Sequence, residues 1–408
     1  MSRAPGSHYN LNGLVRVGIA GSDSRMGQIM DETLRMFRSE PGATDLTLVL
    51  GEYPSESWKP SGFTVGDRLL YDLDSDSTTV FRKPTTAVLS ESDVEYVIVG
   101  DFRKSESRVV VYVPSLPKRI GYVRSVLKGL ARRSLTRTLL AASKSSFYSI
   151  EGIELEAARI RLAILEPFLY YRLPFKGSTL VHGSVVSSNG SGLMFAGGGH
   201  IGKTALSLEM VRRGYSYLGD DLAIVSEEGR AFPYPEPIRI QEQHLSLFPD
   251  LESNLTSNMG ALEKFLFRRL VRASHGEVLE LMPRLPISEV VPGARIGGTC
   301  RLDNTILIRK GVIHDPIFEE IDVESTAGAL AAELFWEFEA GHWRHNQYIY
   351  CPSCAKGTDF LAEEGEHRVL VTKVITDSLR NSRVFRLQVP YEFRIREATK
   401  YVDRILSK

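Results

Sequence analysis

A glycine-rich stretch near the middle of the chain has the residue types and the spacing that bind phosphate groups. It fits the pattern G-x-x-x-x-G-K-[ST] and consists of Gly197, Gly198, Gly199, His200, Ile201, Gly202, Lys203 and Thr204. Glycines let successive backbone N–H groups curl around phosphate oxygens, a lysine adds a positive charge, and a threonine hydroxyl can ligate Mg²⁺. The stretch is therefore predicted to be the phosphate loop of a nucleotide site.

Two adjacent carboxylates and a histidine lie close to this loop in the sequence. Asp220 and Asp221 follow Lys203 by seventeen and eighteen residues, and His182 precedes Gly197 by fifteen. In phosphoryl transfer, lysine and metal neutralise phosphate charge while a carboxylate accepts the proton of the attacking hydroxyl. These groups form a candidate site for that chemistry. The alternatives are a solvated turn for the aspartates and a structural role for the histidine.

The segments around these residues have the patterns that would position them. Residues 191–196 predict a short buried strand before the loop, and residues 204–213 predict a helix whose amino terminus points its partial positive charge at the phosphates. Gly214 is expected to end that helix.

Further short strands are predicted around the histidine and the aspartates, over 179–186, 215–218 and 222–226. A turn at 227–229 would fold the last of these into a hairpin. Because neighbouring strand residues point to opposite faces, both aspartates can face the loop only across a turn or bulge, which Gly219 would permit.

Four features follow one another along the chain: His182-Gly183, the loop from Gly197 to Thr204, Arg213-Gly214 and Asp220-Asp221. In their order and their distances they resemble the HPr serine kinase/phosphorylase family, whose nucleotide domain shares its fold with phosphoenolpyruvate carboxykinase. The resemblance covers about residues 165–240. It implies an α/β fold class with a mixed-sheet nucleotide-binding domain.

The resemblance also implies a role for each site residue. Lys203 would hold the β- and γ-phosphates of ATP, and Thr204 and Asp221 would organise Mg²⁺. Asp220 would be the base toward the hydroxyl being phosphorylated, and His182 would hydrogen-bond that carboxylate and tune it. The implied partner is a hydroxyl-bearing protein or small molecule. Bacterial members of the family form hexamers, so a homo-oligomer is expected.

The chain departs from the family pattern in three places. His200 stands where the family usually has glycine, so either this position does not need a positive φ or the histidine tolerates one. The family's second signature has only a faint counterpart at 295–298, to which no role is assigned. The first 145 residues do not match the family's regulatory domain, which suggests a relative with another substrate.

The sequence leaves a second class of function open. The chain could be a nucleotide-binding regulator or assembly factor with slow ATPase activity and no acceptor for the phosphate. A carboxykinase is a weaker alternative, since the extra metal ligands and substrate arginines of those enzymes are not identified.

Composition sets the background for these hypotheses. The 50 basic and 50 acidic residues cancel, which argues against a nucleic-acid partner. No apolar run reaches the roughly 18 residues of a membrane span, and the first residues lack the apolar core of a signal peptide, so a cytoplasmic protein is expected. Three cysteines do not make a disulfide framework.

Two domains are expected, with a boundary near residue 145. Residues 1–145 are predicted to form an α/β domain of unknown role, with strands over 15–20, 46–50, 96–100 and 108–113 and helices over 27–38 and 119–139. Residues 146–408, which include a helical segment over 150–172, are predicted to form the nucleotide-binding domain.

Other motifs carry weaker hypotheses. His342, His345, Cys351 and Cys354 could bind zinc, with Cys300 able to replace one histidine. The two cysteines of this motif could instead form a redox pair, or could lie in a turn without a function of their own. Residues 15–30 partly match a dinucleotide fingerprint, but Ser24 replaces its middle glycine, so an ordinary strand–turn–helix is preferred. A basic amphipathic helix over 118–137 could dock an acidic partner or a membrane surface, although a solvated charged face is the simpler interpretation.

Overall fold

The computed structural model describes most of the chain. The described residues are 6–21, 25–51, 63–65, 69–72, 74–81, 94–105, 108–113, 160–240, 242–256, 261, 264, 284–341, 352–391 and 395–406. The chain forms two compact units. Unit 1 comprises 1–120, 152–179 and 334–374, and unit 2 comprises 121–151, 180–333 and 375–408.

Unit 1 thus includes 152–179 and 334–374, which the predicted division placed in the second domain. The predicted boundary near residue 145 lies outside the described residues and stays a prediction.

The sheet of unit 1 has the strand order β1-β2-β3-β8-β7-β6-β5-β4. Its strands are β1 Ser7–Leu11, β2 Val15–Ala20, β3 Leu46–Leu50, β4 Phe63–Val65, β5 Leu69–Asp72, β6 Ser77–Phe81, β7 Val94–Val99 and β8 Val109–Val113. Strands β2, β3 and β8 run parallel, and the other pairs are antiparallel. Helix α1 (Arg25–Leu34) continues into a 3₁₀ turn at Arg35–Phe37.

The apolar runs of the amino-terminal part predicted this sheet well. Strands β2 and β3 have the predicted bounds, and β7 and β8 differ from theirs by one or two residues. The predicted helix over 27–38 is α1 with its 3₁₀ turn. The helix predicted over 119–139 lies outside the described residues.

A buried helical segment joins the later stretches of unit 1. A π-helical turn (Arg161–Leu165) leads into helix α2 (Glu166–Arg172), which is buried along its whole length, and a 3₁₀ turn (Leu173–Lys176) follows. The ring of Tyr170 stacks on Phe338 at 4.3 Å and meets His367 edge-on at 4.6 Å. These aromatic contacts hold 160–176 and 334–374 in one unit.

Unit 2 is built around a second, mixed sheet. Its strands are β9 Ser178–Ser188, which begins in unit 1, β10 Ser191–Ala196, β11 Ser216–Gly219, β12 Leu222–Ser226, β13 Arg230–Phe232, β16 Cys300–Gly311, β17 Ile317–Glu320 and β18 Arg383–Pro390, with β14 Ile238–Arg239 and β15 Arg284–Leu285 as a separate pair. The strand order is β10-β9-β12-β13-β16-β18-β17, with β11 on β9 and a further pairing of β10 with β16.

The described helices of this part of the chain are α3 Lys203–Arg212, α4 Glu242–Leu247, α5 Pro249–Thr256, α6 Ile287–Val290, α7 Val323–Gly341, α8 Phe360–Leu379 and α9 Thr399–Leu406. The chain passes from unit 2 to unit 1 within α7 and returns within α8. No helix among the described residues has both the length and the apolar character needed to cross a membrane.

Parallel strands define the edge of the sheet that carries the loop. Strand β16 runs parallel to both β10 and β18, so all three strands end at the same edge. The loop follows β10 there, and helix α3 packs back on the sheet. Buried side chains of α3, α9 and these strands form one apolar core, which includes Phe195, Leu206, Met210, Ile308, Leu387, Tyr401 and Ile405.

The predicted α/β class and most of the local predictions around the loop are confirmed. Strands β10 and β12 have the predicted bounds, and helix α3 is shifted by one residue from its prediction. Strands β12 and β13 form the predicted hairpin, whose turn is closed by a hydrogen bond from Gly229 N to Ser226 O of 3.0 Å.

Replacing two neighbouring glycines of the loop by alanine should affect stability differently, because only one of them lies close to β16. Gly197 has φ +127°, and a Cβ there would lie 2.4 Å from Ile308 O, whereas a Cβ on Gly198 would meet no atom within 4 Å. Gly197→Ala should lower the free energy of unfolding by about 2 kcal/mol or more, because a strained backbone conformation alone costs about 1–3 kcal/mol. Gly198→Ala should change it by less than about 0.5 kcal/mol. Urea unfolding of both variants checks this, and equal losses would contradict it.

Candidate active site

The loop between β10 and α3 depends on left-handed backbone conformations. Gly197 and Gly202 have φ of +127° and +104°, and His200 has φ +58°. Of the two alternatives that the sequence left open for His200, the second is therefore right. The position takes a positive φ, and the histidine adopts it, as histidine does more readily than most residues.

Lys203 is the first residue of α3, and its side chain folds back under the loop. It is only 5% exposed, and its ammonium group donates hydrogen bonds to Gly197 O at 2.7 Å and Gly198 O at 2.9 Å. Burying a charge is unfavourable unless it is paired and hydrogen-bonded. These carbonyls hydrogen-bond the ammonium, whose charge also acts on the carboxyls of Asp220 and Glu333. An anion in the loop would gain Lys203 as a further electrostatic partner.

The acidic pair lies at a distortion between β11 and β12. The pairing of β11 with β9 shifts register between Tyr217 and Gly219, and Asp221 has φ +64°. This irregularity is the turn or bulge that the sequence predicts at the acidic pair. The positive φ lies at Asp221 and not at Gly219. Glycine is needed at 219 for another reason, because a Cβ there would lie 2.8 Å from the carbonyl oxygen of Tyr234.

Asp220 is hydrogen-bonded to the first turn of α3. It is 4% exposed, and the Thr204 hydroxyl donates to Asp220 Oδ2 at 2.8 Å. Asp220 Oδ1 is also buried and accepts no hydrogen bond of ordinary geometry from the described residues, although Ser184 is close enough to lower the carboxyl pKa. Burial and the charge of Asp221 outweigh Thr204 and Lys203 and raise the pKa of Asp220 to about 7.

His182 lies on β9 beside the acidic pair, where the following residue, Gly183, donates its N–H to Asp221 O at 3.2 Å. Burial and the Lys203 charge lower the pKa of His182 to about 4, although Asp221 acts in the opposite direction. The imidazole is therefore neutral at pH 7. Its electrostatic neighbours are Lys203 and Asp221, and the expected hydrogen bond to Asp220 stays a prediction.

The oxygen atoms at this site fit Mg²⁺ when a nucleotide supplies the remaining ligands. Thr204 and the two aspartates offer a hydroxyl and carboxylates, and Asp220 Oδ1 is a buried acceptor that needs a partner. Mg²⁺ is usually held by one or two carboxylates together with substrate phosphates rather than by a cage of protein ligands. No group of three or more His, Cys, Asp or Glu residues suited to a metal occurs among the described residues.

The weaker candidates remain predictions. His342, His345 and Cys351 lie outside the described residues, as do Ser24 and the basic segment 118–137. Cys354 is an exposed free thiol. Cys300 is buried, and its burial raises the pKa of the thiol to about 11, which disfavours the thiolate that zinc requires.

Sequence reasoning missed the charged residues that β16 brings to the loop. Lys310 donates a hydrogen bond to His200 O at 3.2 Å, and Arg309 forms an ion pair with Glu333. No strand was predicted over Cys300–Gly311, and the pairing of β10 with a strand more than a hundred residues away has no local signal.

No known family model matches the chain. Part of it is similar to an HPr kinase/phosphorylase from Enterococcus faecalis, with 32% identity over 107 residues. That stretch is 26% of this chain and 33% of the relative, so the chain spans about a third of that protein's length. The solved Hpr(Ser) kinase/phosphatase from Coxiella burnetii matches 35% of this chain and 71% of its own, with 14% identity and a TM-score of 0.20, which is too low to relate the two folds. The sequence match supports a distant relationship to HPr kinase/phosphorylase.

The opposite pKa shifts of Asp220 and His182 predict opposing effects of pH on stability. The raised pKa of Asp220 lowers the free energy of unfolding as pH rises from about 4 to about 7. The lowered pKa of His182 reduces it as pH falls from about 6.5 to about 4. Relative to the parent, Asp220→Asn should gain stability toward pH 8, by at most a few kcal/mol, since one pKa unit is worth about 1.4 kcal/mol.

His182→Gln is the matched variant. Relative to the parent, its free energy of unfolding should increase toward pH 4, the opposite end of the pH range. Urea unfolding across this pH range measures both effects. An Asp220→Asn curve parallel to that of the parent would contradict the raised pKa of Asp220.

Proposed function

We propose that the chain is an ATP-dependent kinase with an HPr kinase-like active site, which transfers the γ-phosphate to a hydroxyl on a protein or a small molecule. The observation that carries the proposal is the hydrogen bond from Thr204 to Asp220. It joins a phosphate-loop motif directly to a buried carboxyl whose pKa lies near neutrality. The similarity to HPr kinase/phosphorylase supports the same class of reaction.

In this proposal each described group has one task. The loop N–H groups and Lys203 bind the phosphates and neutralise their charge. Asp220 accepts the proton of the acceptor hydroxyl, because a base is most effective when its pKa lies near the working pH. Mg²⁺, held by Thr204 and Asp221, would supply further charge neutralisation for the phosphates.

His182 affects Asp220 through its protonation state. A neutral imidazole beside Lys203 and Asp221 adds no positive charge to the site. An imidazolium there would stabilise the ionised carboxylates and lower the pKa of Asp220. Keeping His182 neutral therefore helps Asp220 remain a competent base at neutral pH.

For the phosphate acceptor and the oligomeric state, the proposal extends only to their general class. The similarity covers 26% of the chain. The relative is an HPr kinase/phosphorylase, and we propose only the kinase activity for this chain. The expected homo-oligomer stays a prediction.

Transfer of γ-labelled phosphate from Mg²⁺-ATP to components of a cell extract tests the proposal. The parent should label an acceptor. Asp220→Asn should reduce the rate about 10²-fold to 10⁴-fold, the usual contribution of a positioned base. Lys203→Ala should abolish transfer, because it removes the buried charge under the loop.

Glu228→Gln is the matched control, since it removes one carboxylate at the exposed hairpin turn and should leave the rate unchanged. If ATP bound but no label moved, and ADP formed slowly and equally in the parent and in Asp220→Asn, the regulator or assembly factor would replace the kinase.

A further inference from the structure

Two cationic residues, Arg309 and Lys310, lie near the carboxyl end of β16, beside the loop. Ala196, the last residue of β10, pairs with Leu307 of β16 in parallel register. The carbonyl oxygen of the next residue, Ile308, lies so close to Gly197 that a Cβ on Gly197 would be 2.4 Å from it. Arg309 and Lys310, the next two residues of β16, are still paired with β18 and lie level with the loop.

The charge of Arg309 is already balanced. Its guanidinium forms an ion pair with Glu333 of α7, whose side chain is 14% exposed. Burial raises the pKa of Glu333, while the positive charges of Arg309 and Lys203 lower it. Glu333 therefore lies close enough to both Arg309 and Lys203 to interact with their charges.

Lys310 has a different partner. Consecutive strand residues point to opposite faces, so Lys310 lies on the other face from Arg309, the face on which Ile308 packs in the core with α3. Its ammonium donates to the carbonyl of His200, the left-handed residue at the exposed top of the loop. A neutral carbonyl leaves the lysine charge available for an anion.

We propose that Lys310 is a second phosphate-binding lysine, which reaches the phosphates of the nucleotide from the neighbouring strand. The inference rests on the proposed function. Lys203 provides a buried positive charge under the loop, and Lys310 provides a partly exposed one at its rim. Phosphate oxygens compete well for this ammonium, because a hydrogen bond between two charged groups is stronger than one to a neutral carbonyl.

The test is equilibrium binding of Mg²⁺-ATP and of adenosine to Lys310→Met, measured by calorimetry. Arg301→Met is the matched control: it removes one positive charge from the opposite end of the same strand, where the side chain is 72% exposed. Lys310→Met should raise the Kd for ATP about tenfold or more, the usual effect of losing a hydrogen bond between charged groups. Arg301→Met should change it less than about twofold, adenosine binding should be unchanged in both, and Lys310→Arg should restore most of the ATP affinity.

The same substitution made in a His200→Gly variant separates direct phosphate binding by Lys310 from support of the loop. If Lys310 acted only by holding the carbonyl of His200, its loss would matter little in His200→Gly, where glycine adopts a positive φ freely. A loss of about tenfold or more in that background supports the proposal, and a loss below about twofold overturns it. ATP affinity of Lys310→Met equal to that of the parent overturns it as well, while the proposed function stands. Failure of the parent to bind ATP would instead remove the proposed function.

Discussion

The hydrogen bond between Thr204 and Asp220 links the two halves of the candidate site. Thr204 belongs to the first turn of α3 and Asp220 to the distortion between β11 and β12, so the bond fixes the loop relative to the acidic pair. It also supplies one of the few partners of a carboxyl that is almost fully buried. A buried carboxyl in this setting gives up its charge more readily than one in water, which is why its pKa rises toward neutrality.

The buried charges of the site balance each other around that bond. Lys203 lowers the pKa of His182 and also that of Asp220, whereas Asp221 raises both. The result is a cationic loop beside a neutral imidazole and a carboxyl that titrates near pH 7. Such shifts cluster at catalytic sites, since a general base needs a pKa close to the working pH. A solvated turn, the alternative for the aspartate pair, would leave Asp220 exposed, and it is not.

Local patterns in the sequence were enough to predict the loop, its strand and its helix, because glycine spacing and apolar periodicity act over a few residues. Strands β2, β3, β10 and β12 have the predicted bounds for the same reason. The need for a bulge at the acidic pair also followed from strand geometry. The positive φ of His200 and Asp221 did not, since side-chain type only weakly constrains a left-handed backbone outside glycine.

The sequence did not predict which distant segments of the chain pair or pack against each other. Lys310 reaches the loop because β16 pairs with β10, and Phe338 and His367 pack on Tyr170 within unit 1. Both depend on contacts between residues more than a hundred positions apart.

The proposed chemistry depends most on Asp220 being a carboxyl that can exchange its proton near neutral pH beside the glycine-rich loop. Carbon-13 NMR titration of the aspartate carboxyls, with Asp220 assigned by the signal missing from Asp220→Asn, measures this directly. An apparent pKa of about 7 is expected for that signal. A signal that titrates near 4, as an ordinary aspartate does, would contradict it.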